Sequence, residues 1–551
     1  MLLRVKLLFL FCFSATAVLF SQIGNETPIG WQLDIDGVPV VALPPLDLTA
    51  IIAEDRINDL DKTLPWRYGM ERPLNLNVLQ QGQEIQMANG DKLWRIIIRS
   101  ENALNLSLNF SNFSIPEGAH FQFYNVDRTD QSKVYNATTN RDSQVLGSWF
   151  VSGDEMIVEY YQPKGVNASA KLQLGSIIHG YRMGRVHQWA EGYRGLEDSG
   201  DCNYDVNCSV GSDFEEKKNL LKRAVALLNL GNGKLCTASL INNTSQDKTP
   251  YLLTANHCLE GASPNLWSVR FNWMSQNPIC GNEGESDNIQ ANFTMSGALL
   301  RAHNWESDFA LVELYNPVPD SWDVVFAGWD RKDENPLYQI GIHQPSGDVM
   351  KVCRDNDPAV KDVANGTQVW LIKGLSSGSG DGWDFGTTES GSSGSPLFNE
   401  KGKIIGQLYA GLSLCNGTEN NREFDIYGRF AASWDGVDSS SRLKDWLDPS
   451  GLGLLELSSK ENSLSIGEVE VESQLMIYPN PVSSYVTIVN TQYPNLTYAF
   501  MDVNGKVIQR GSMSNSENRL DVTPYASGIY FLRLLDEDTQ NTIVKKIIVR
   551  R

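Results

Sequence analysis

Thr388-Glu389-Ser390-Gly391-Ser392-Ser393-Gly394-Ser395-Pro396-Leu397 is the stretch that decides how this chain folds. A serine that acts as a nucleophile needs its hydroxyl on a tight turn, with backbone N–H groups nearby to meet an oxyanion. Flanking glycines permit both. Gly391 and Gly394 stand on either side of Ser393. A Gly-Ser-rich loop is also a common surface turn, so the weight falls on what accompanies it.

Two upstream segments supply the companions. Tyr251-Leu252-Leu253-Thr254-Ala255-Asn256-His257-Cys258 leads an apolar strand into a small residue, a histidine and a cysteine. A general base must be held within hydrogen-bond reach of the serine, and a disulfide on the next residue restrains such a loop. Ser307-Asp308-Phe309-Ala310-Leu311-Val312-Glu313-Leu314 places a carboxylate at the head of an apolar strand. There it can accept the imidazole N–H, fix the tautomer and stabilise the imidazolium. An aspartate at such a place is also a frequent turn or cap residue. The chain order His257, Asp308, Ser393 is that of chymotrypsin-type triads, not the Asp-His-Ser or Ser-Asp-His orders of other triad folds. The surrounding sequence agrees, with short strands such as Lys403-Ile404-Ile405-Gly406-Gln407-Leu408 among Gly-rich turns. Leu443, Trp446 and Leu447 then share one helical face before Pro449. The expected fold class is mostly β: a chymotrypsin-like double β-barrel closed by a single C-terminal helix.

Working outward, seven of the eight cysteines (Cys202, Cys208, Cys236, Cys258, Cys280, Cys353 and Cys415) fall in this middle region, and the odd count leaves one thiol over. Cys12 lies in an N-terminal segment where Arg4 and Lys6 precede an apolar run from Leu7 to Phe20, interrupted by Ser14 and Thr16. That run is shorter than the ~20 residues a membrane span needs, and it reads as an export signal ending near Ser21-Gln22. Export permits disulfides. A formal charge of −20 argues against nucleic-acid or anionic-membrane partners and favours cationic substrates. No stable membrane span is expected. Before the cysteine-rich region, alternating segments such as Leu93-Trp94-Arg95-Ile96-Ile97-Ile98 and Met156-Ile157-Val158-Glu159-Tyr160-Tyr161 read as strands. Such a β-rich domain is a candidate propeptide, with Arg182, Arg185 and Arg194 as release points; a permanent accessory domain is the alternative.

The end of the chain opens with Met476-Ile477-Tyr478-Pro479-Asn480-Pro481-Val482 and contains the turn Val503-Asn504-Gly505-Lys506. It then passes through Gly528-Ile529-Tyr530-Phe531-Leu532 to Val544-Lys545-Lys546-Ile547-Ile548-Val549-Arg550-Arg551. This order resembles the C-terminal sorting domain of proteins exported by the type IX system. The middle region resembles the bacterial lysyl endopeptidases, a branch of the chymotrypsin-fold serine proteases. It does so through Cys202-Asn203-Tyr204-Asp205-Val206-Asn207-Cys208, Ala327-Gly328-Trp329-Asp330-Arg331, Asp425-Ile426-Tyr427-Gly428-Arg429 and the segments around His257, Asp308 and Ser393. The expected organisation is an export signal at 1–21, a propeptide at 22–194, a protease domain at 195–455, a linker at 456–474 and a small β-sandwich sorting domain at 475–551.

The resemblance implies a catalytic triad of His257, Asp308 and Ser393, with the N–H groups of Gly391 and Ser393 as the oxyanion hole. It implies disulfides joining Cys202 to Cys415, Cys208 to Cys280 and Cys236 to Cys258, which leaves Cys353 as a thiol expected to alkylate without reduction. Trypsin's specificity aspartate lies six positions before its serine, where this chain has Thr387. Lysyl endopeptidases use a downstream aspartate matched by Asp425, whose alternative reading is a turn cap beside Tyr427-Gly428. Ser392 replaces the aspartate that in trypsin pairs with the new N-terminus, so activation must work otherwise. Tyr409 stands where the best-matching members carry histidine, and is placed near the pocket as a second substrate-binding residue; Trp370 and Trp383 are further pocket candidates or core. The resulting expectation is a secreted or surface serine endopeptidase cutting after Lys, with Arg not excluded. It needs no metal or cofactor, engages peptide substrates and the type IX machinery, and acts as a monomer. The alternatives are a catalytically inactive homologue serving as an adhesin, and a metallohydrolase using His303, Glu306 and Asp308. The latter lacks a His-Glu-x-x-His or any histidine pair at ligand spacing.

Overall fold

A computed structural model describes residues 27–34, 36–183, 199–284, 286, 293–378, 380–462, 475–478, 482–490, 496–502, 506–513, 517–536 and 542–550. The export signal at 1–21, Arg185, Arg194 and positions 463–474 lie outside the described residues. The chain divides into two units, Met1–Asn462 and Ser463–Arg551.

The first unit begins with a β-sandwich. One sheet runs in the order Val40–Ala42, Lys92–Arg99, Glu155–Gln162, His120–Asn125; the other runs Gly69–Asn77, Lys171–Gly180, Asn105–Ser114, Leu146–Gly147. The period-two pattern read from the sequence sorts the inward residues: Trp94, Ile96 and Ile98 from one strand and Met156, Val158 and Tyr160 from its neighbour. They meet Leu106, Leu108 and Phe110 of the facing sheet in one buried cluster. The outer face of that second sheet is also covered. Asn109 donates to the Gly231 carbonyl at 2.7 Å, and Tyr68 Oη accepts from Asn229 at 3.1 Å.

Those two contacts reach the double barrel. Its first sheet orders Phe293–Ser296, Ser268–Phe271, Val225–Asn229, Lys234–Leu240, Tyr251–Ala255, Phe309–Leu314 and Ala298–Asn304. Its second runs Tyr204–Asp205, Lys351–Asp355, Gln339–His343, Pro396–Asn399, Ile404–Gly411, Asp425–Arg429, Thr367–Ile372 and Val360–Ala364. The N-terminal domain adds a strand to the first sheet, Trp66–Arg67, which pairs antiparallel with Lys234 and Leu235. Around it Trp66, Tyr68, Trp149, Phe150, Ile178 and Met183 bury themselves against Leu227, Leu235, Trp273 and Val349. Gly233 is required here: its φ is +84°, and a Cβ would lie 2.2 Å from the Gly69 carbonyl oxygen. Arg182, one of the three expected release points, is tied to Asp55 and Asp59 by ion pairs at 2.6 and 2.8 Å.

Two details differ from the sequence reading. The barrel closes on two short helices, Phe430–Trp434 and Lys444–Leu447, rather than one. The first sets Phe430 and Trp434 against Trp329, and the second buries Leu447 with Leu443 just before it. The linker does not begin at 456, because Glu456–Leu457 pairs with Trp329–Asp330 and Lys460–Glu461 with Val325–Phe326. A Ser/Glu-rich composition carries no signal for such edge pairing, whose hydrogen bonds are made by the backbone.

The second unit is a sandwich of two small sheets. Leu475–Tyr478, Tyr485–Asn490 and Glu517–Asp521 form one; Val507–Met513, Leu496–Met501, Gly528–Asp536 and Thr542–Val549 form the other. Val486, Ile488, Phe500, Leu520, Leu532, Leu534, Ile547 and Val549 fill the space between. Pro479-Asn480-Pro481 and Val503-Asn504-Gly505 lie outside the described residues.

Candidate active site

The catalytic candidates come from ends of strands in the two barrel sheets. His257 follows the buried strand Tyr251–Ala255, and Cys258 beside it is joined to Cys236 of the neighbouring strand. The loop is thereby fixed against the sheet that presents it. Asp308 heads Phe309–Leu314 with φ +50°, a left-handed conformation that costs a non-glycine residue about 1–2 kcal/mol. The surroundings enforce it: the Asp308 carbonyl accepts from Asn256 N–H at 2.9 Å, and Gln407 donates to the Ser307 carbonyl at 2.7 Å. In that pose one carboxylate oxygen accepts the His257 backbone N–H at 3.0 Å and the other meets Nδ1 at 2.8 Å. The second contact selects the tautomer with its proton on Nδ1 and leaves Nε2 as the basic nitrogen.

Ser393 sits on a turn pinned by its backbone. Its carbonyl accepts from Thr237 N–H at 2.9 Å, and Thr237 Oγ1 donates to the Gly391 carbonyl at 3.1 Å. Gly391 has φ +94°, and a Cβ on Gly394 would lie 2.1 Å from Thr254 Oγ1, so glycine is required at both positions. Ser392, in place of the trypsin aspartate, shares a 2.8 Å hydrogen bond with Nδ1 of the fully buried His343. Burial pushes the His343 pKa down to about 3, so the ring is neutral.

Asp425, the expected specificity residue, is fully buried. Its Oδ2 accepts from Trp383 Nε1 at 2.7 Å, Thr388 Oγ1 at 2.7 Å and Ser413 Oγ at 2.6 Å. Oδ1 is thereby left for a further cation, and one is there. Lys62, from the N-terminal sandwich domain, extends its ammonium group to Asp425 Oδ1 at 2.7 Å, Thr388 Oγ1 at 2.8 Å and Ser413 Oγ at 2.7 Å. Burial lowers its pKa, and the Asp425 carboxylate offsets only part of that shift. At the other end of the same residue, Ser393 Oγ donates to the Lys62 carbonyl at 2.9 Å. His257 Nε2, with no partner among the described residues, is left facing the site.

The remaining expected residues fall as follows. Tyr409 does not reach Asp425, whose acceptor positions are filled by other donors; its ring lies 6.3 Å from that of His257. Trp370 is core, donating to the Ile405 carbonyl. Glu389, a neighbouring acid, is turned toward Gly200 N–H and Asn203 at 2.8 Å each. Cys202–Cys415, Cys208–Cys280 and Cys236–Cys258 are disulfides. Cys353 is free but fully buried, and burial raises its thiol pKa well above the usual value. It is thus the unpaired thiol that was expected, and burial confines its alkylation without reduction to the unfolded chain, because in the fold reagents meet neither an exposed nor an ionised sulfur. Among the described residues, the group closest to a metal-ligand cluster is Cys236, His257 and Cys258, and both sulfurs there are locked in a disulfide. Thr388, Ser413 and Lys62 were not singled out from sequence. Thr388 lies inside the serine motif, but a hydroxyl residue in such a loop carries no mark of its direction.

A double barrel with these side chains gathered between its sheets defines a domain of the chymotrypsin-like class. Residues 196–428 match the family model "Lysyl endopeptidase, C-terminal domain", and residues 476–550 match "Secretion system C-terminal sorting domain". The chain therefore carries a lysyl endopeptidase-type domain followed by a type IX sorting domain, which marks it for export to the cell surface or the medium. A lysyl endopeptidase of Pseudomonas aeruginosa is 25% identical over 303 residues, an alignment covering 52% of this chain and 61% of that protein. A solved structure of PorZ, a surface component of the type IX system of Porphyromonas gingivalis, aligns over 80% of this chain and 51% of its own. Its identity is 10% and its TM-score 0.13, too low to carry an argument. No helix of the described residues is long and apolar enough to cross a membrane.

Proposed function

We propose that this protein is an exported serine endopeptidase that cleaves after lysine, made as a precursor in which residues 22–194 are the propeptide. The observation that carries the reading is the placement of Lys62, with its ammonium on Asp425 and its carbonyl on Ser393. A single residue thus links a cation pocket to a nucleophile at the spacing of one side chain.

In the proposed reaction His257 Nε2 takes the Ser393 proton as Oγ attacks the carbonyl carbon. The oxyanion is met by the N–H groups of Gly391 and Ser393, and Asp308 stabilises the imidazolium. The proton then passes to the leaving amine, and water hydrolyses the acyl-enzyme by the same route. Preference for lysine over arginine follows from donor arithmetic. The hydroxyls of Thr388 and Ser413 each spend their one proton on Asp425 Oδ2 and offer lone pairs to the cation. With Asp425 Oδ1 they make three acceptors for the three protons of an ammonium group. A planar guanidinium with five donors in a fixed fork does not match that arrangement.

The test is a panel of peptides differing only at the residue before the cut. The expected order is Lys well above Arg, with neutral residues far below, and Ser393→Ala should remove all cleavage. Turnover that survives Ser393→Ala, or a panel without cationic preference, would refute the reading.

A further inference from the structure

Resting on that reading, we propose that residues 58–67 form a substrate-like inhibitor of the chain's own active site, built so that the Lys62–Thr63 bond is bound but resists cleavage. Lys62 is only 3% exposed, so the segment fills the pocket rather than brushing past it.

Both flanks of the segment are anchored. Upstream, the helix Thr49–Asn58 is held through Asp55, which takes Arg67 at 2.7 Å, Arg182 at 2.6 Å and the Tyr181 hydroxyl at 2.6 Å. Downstream, Trp66–Arg67 is a strand of the barrel sheet itself. The few residues between have little freedom to follow a bond into hydrolysis. They are also braced from within. Asp61 Oδ1 accepts from both the Thr63 backbone N–H at 3.0 Å and the Thr63 hydroxyl at 2.6 Å, and Leu64 N–H returns to the Asp61 carbonyl at 3.1 Å. The turn therefore spans the Lys62–Thr63 bond.

Thr63 nitrogen is the leaving group of that bond. If Ser393 Oγ bonds to the Lys62 carbonyl carbon, the C–N bond breaks and His257 delivers the serine proton to the amine. Asp61 and the strand that follows then keep the amine at the acyl carbon. Reattack re-forms the peptide and returns the proton to Ser393 before water can compete. The serine hydroxyl also points at the Lys62 carbonyl oxygen rather than at His257 Nε2, an arrangement that occupies the nucleophile without activating it. Because the segment is tethered, its effective concentration is of order millimolar, enough to exclude free substrates of ordinary affinity.

The experiment uses the full chain and a fluorophosphonate that labels a reactive serine, read only on the uncut band. Lys62→Gln should raise the labelling rate of intact chain by about one to two powers of ten, the factor a charge-assisted contact contributes. Asp61→Ala, a change at an exposed residue, should instead let a cut between Lys62 and Thr63 accumulate in the mass spectrum, while wild type stays whole there. Equal labelling of wild type and Lys62→Gln, or an intact Lys62–Thr63 bond in Asp61→Ala, overturns the proposal while leaving the protease reading standing. A Ser393 that never labels, in cut or uncut protein, removes both.

Discussion

Replacing Asp425 with asparagine tests the proposed specificity pocket at the point where its geometry makes a signed prediction. Three donors, from Trp383, Thr388 and Ser413, converge on Oδ2. Asparagine will keep its one carbonyl oxygen there, because turning the amide would set its NH2 group against all three. The NH2 then occupies the Oδ1 position, which in the wild type lies 2.7 Å from a lysine ammonium. A charge-assisted acceptor is thereby exchanged for a donor facing a cation. Breaking a buried ion pair on one side costs about 3–5 kcal/mol, which corresponds to roughly two to four powers of ten in rate. The assay is kcat/KM on paired peptides with lysine or norleucine before the cut, normalised to the amount of fluorophosphonate-reactive serine. The lysine rate should fall by at least about two powers of ten. The norleucine rate should move by less than about tenfold, since the floor keeps its shape and loses an unpaired charge. A variant that retains the wild-type ratio of the two rates would refute the assignment of Asp425 as the pocket's counter-charge.

Three further outcomes are expected. His257→Ala should reduce turnover about as far as Ser393→Ala, and the double variant should be no worse than either, because members of one proton-transfer unit are not additive; a much slower double variant would separate them. His343 is neutral in the fold, with its pKa near 3 against 6.5 when unfolded, so the unfolded chain binds the extra proton between those values and stability is lost as pH falls through 6.5. On going from pH 8 to pH 5 the wild type should lose about 2 kcal/mol more unfolding free energy than His343→Gln, measured by urea titration; parallel pH profiles would count against a buried neutral ring. Cys353 should resist iodoacetamide in native protein and react fully in denaturant without reductant, as read by mass, and rapid native labelling would contradict its burial.

The proposed triad was legible because each candidate member is announced by contiguous neighbours. Gly391 and Gly394 are backbone requirements of one turn, Cys258 adjoins His257, and Asp308 directly precedes the strand that carries it. The pocket was legible only in part. Asp425 could be matched and Trp383 was a candidate, but Thr388 and Ser413 were not singled out, since their hydroxyls meet Asp425 only when separate loops and strands pack. Lys62 left no trace in the sequence at all. It lies 331 residues from Ser393, and its register is set by the pairing of Trp66–Arg67 with a strand of another domain. Tyr409 shows another limit: the direction of its ring depends on a register shift between Leu408 and Ala410 that no residue type announces.

The shared strand and the apolar cluster around it have a bearing on timing. Trp66, Tyr68, Trp149 and Phe150 are seated on Leu227, Leu235 and Trp273 by contacts among themselves, so a cut elsewhere in the backbone between the two domains leaves that cluster in place. On the proposed precursor reading, severing the chain and unblocking the site are therefore separate events. The sandwich would stay attached as a detached subunit does, leaving only when it is itself unfolded or digested. Onset of the proposed activity would then be set by how long a well-packed β-domain survives in the medium, which would make its durability a clock rather than merely a means of assisting folding.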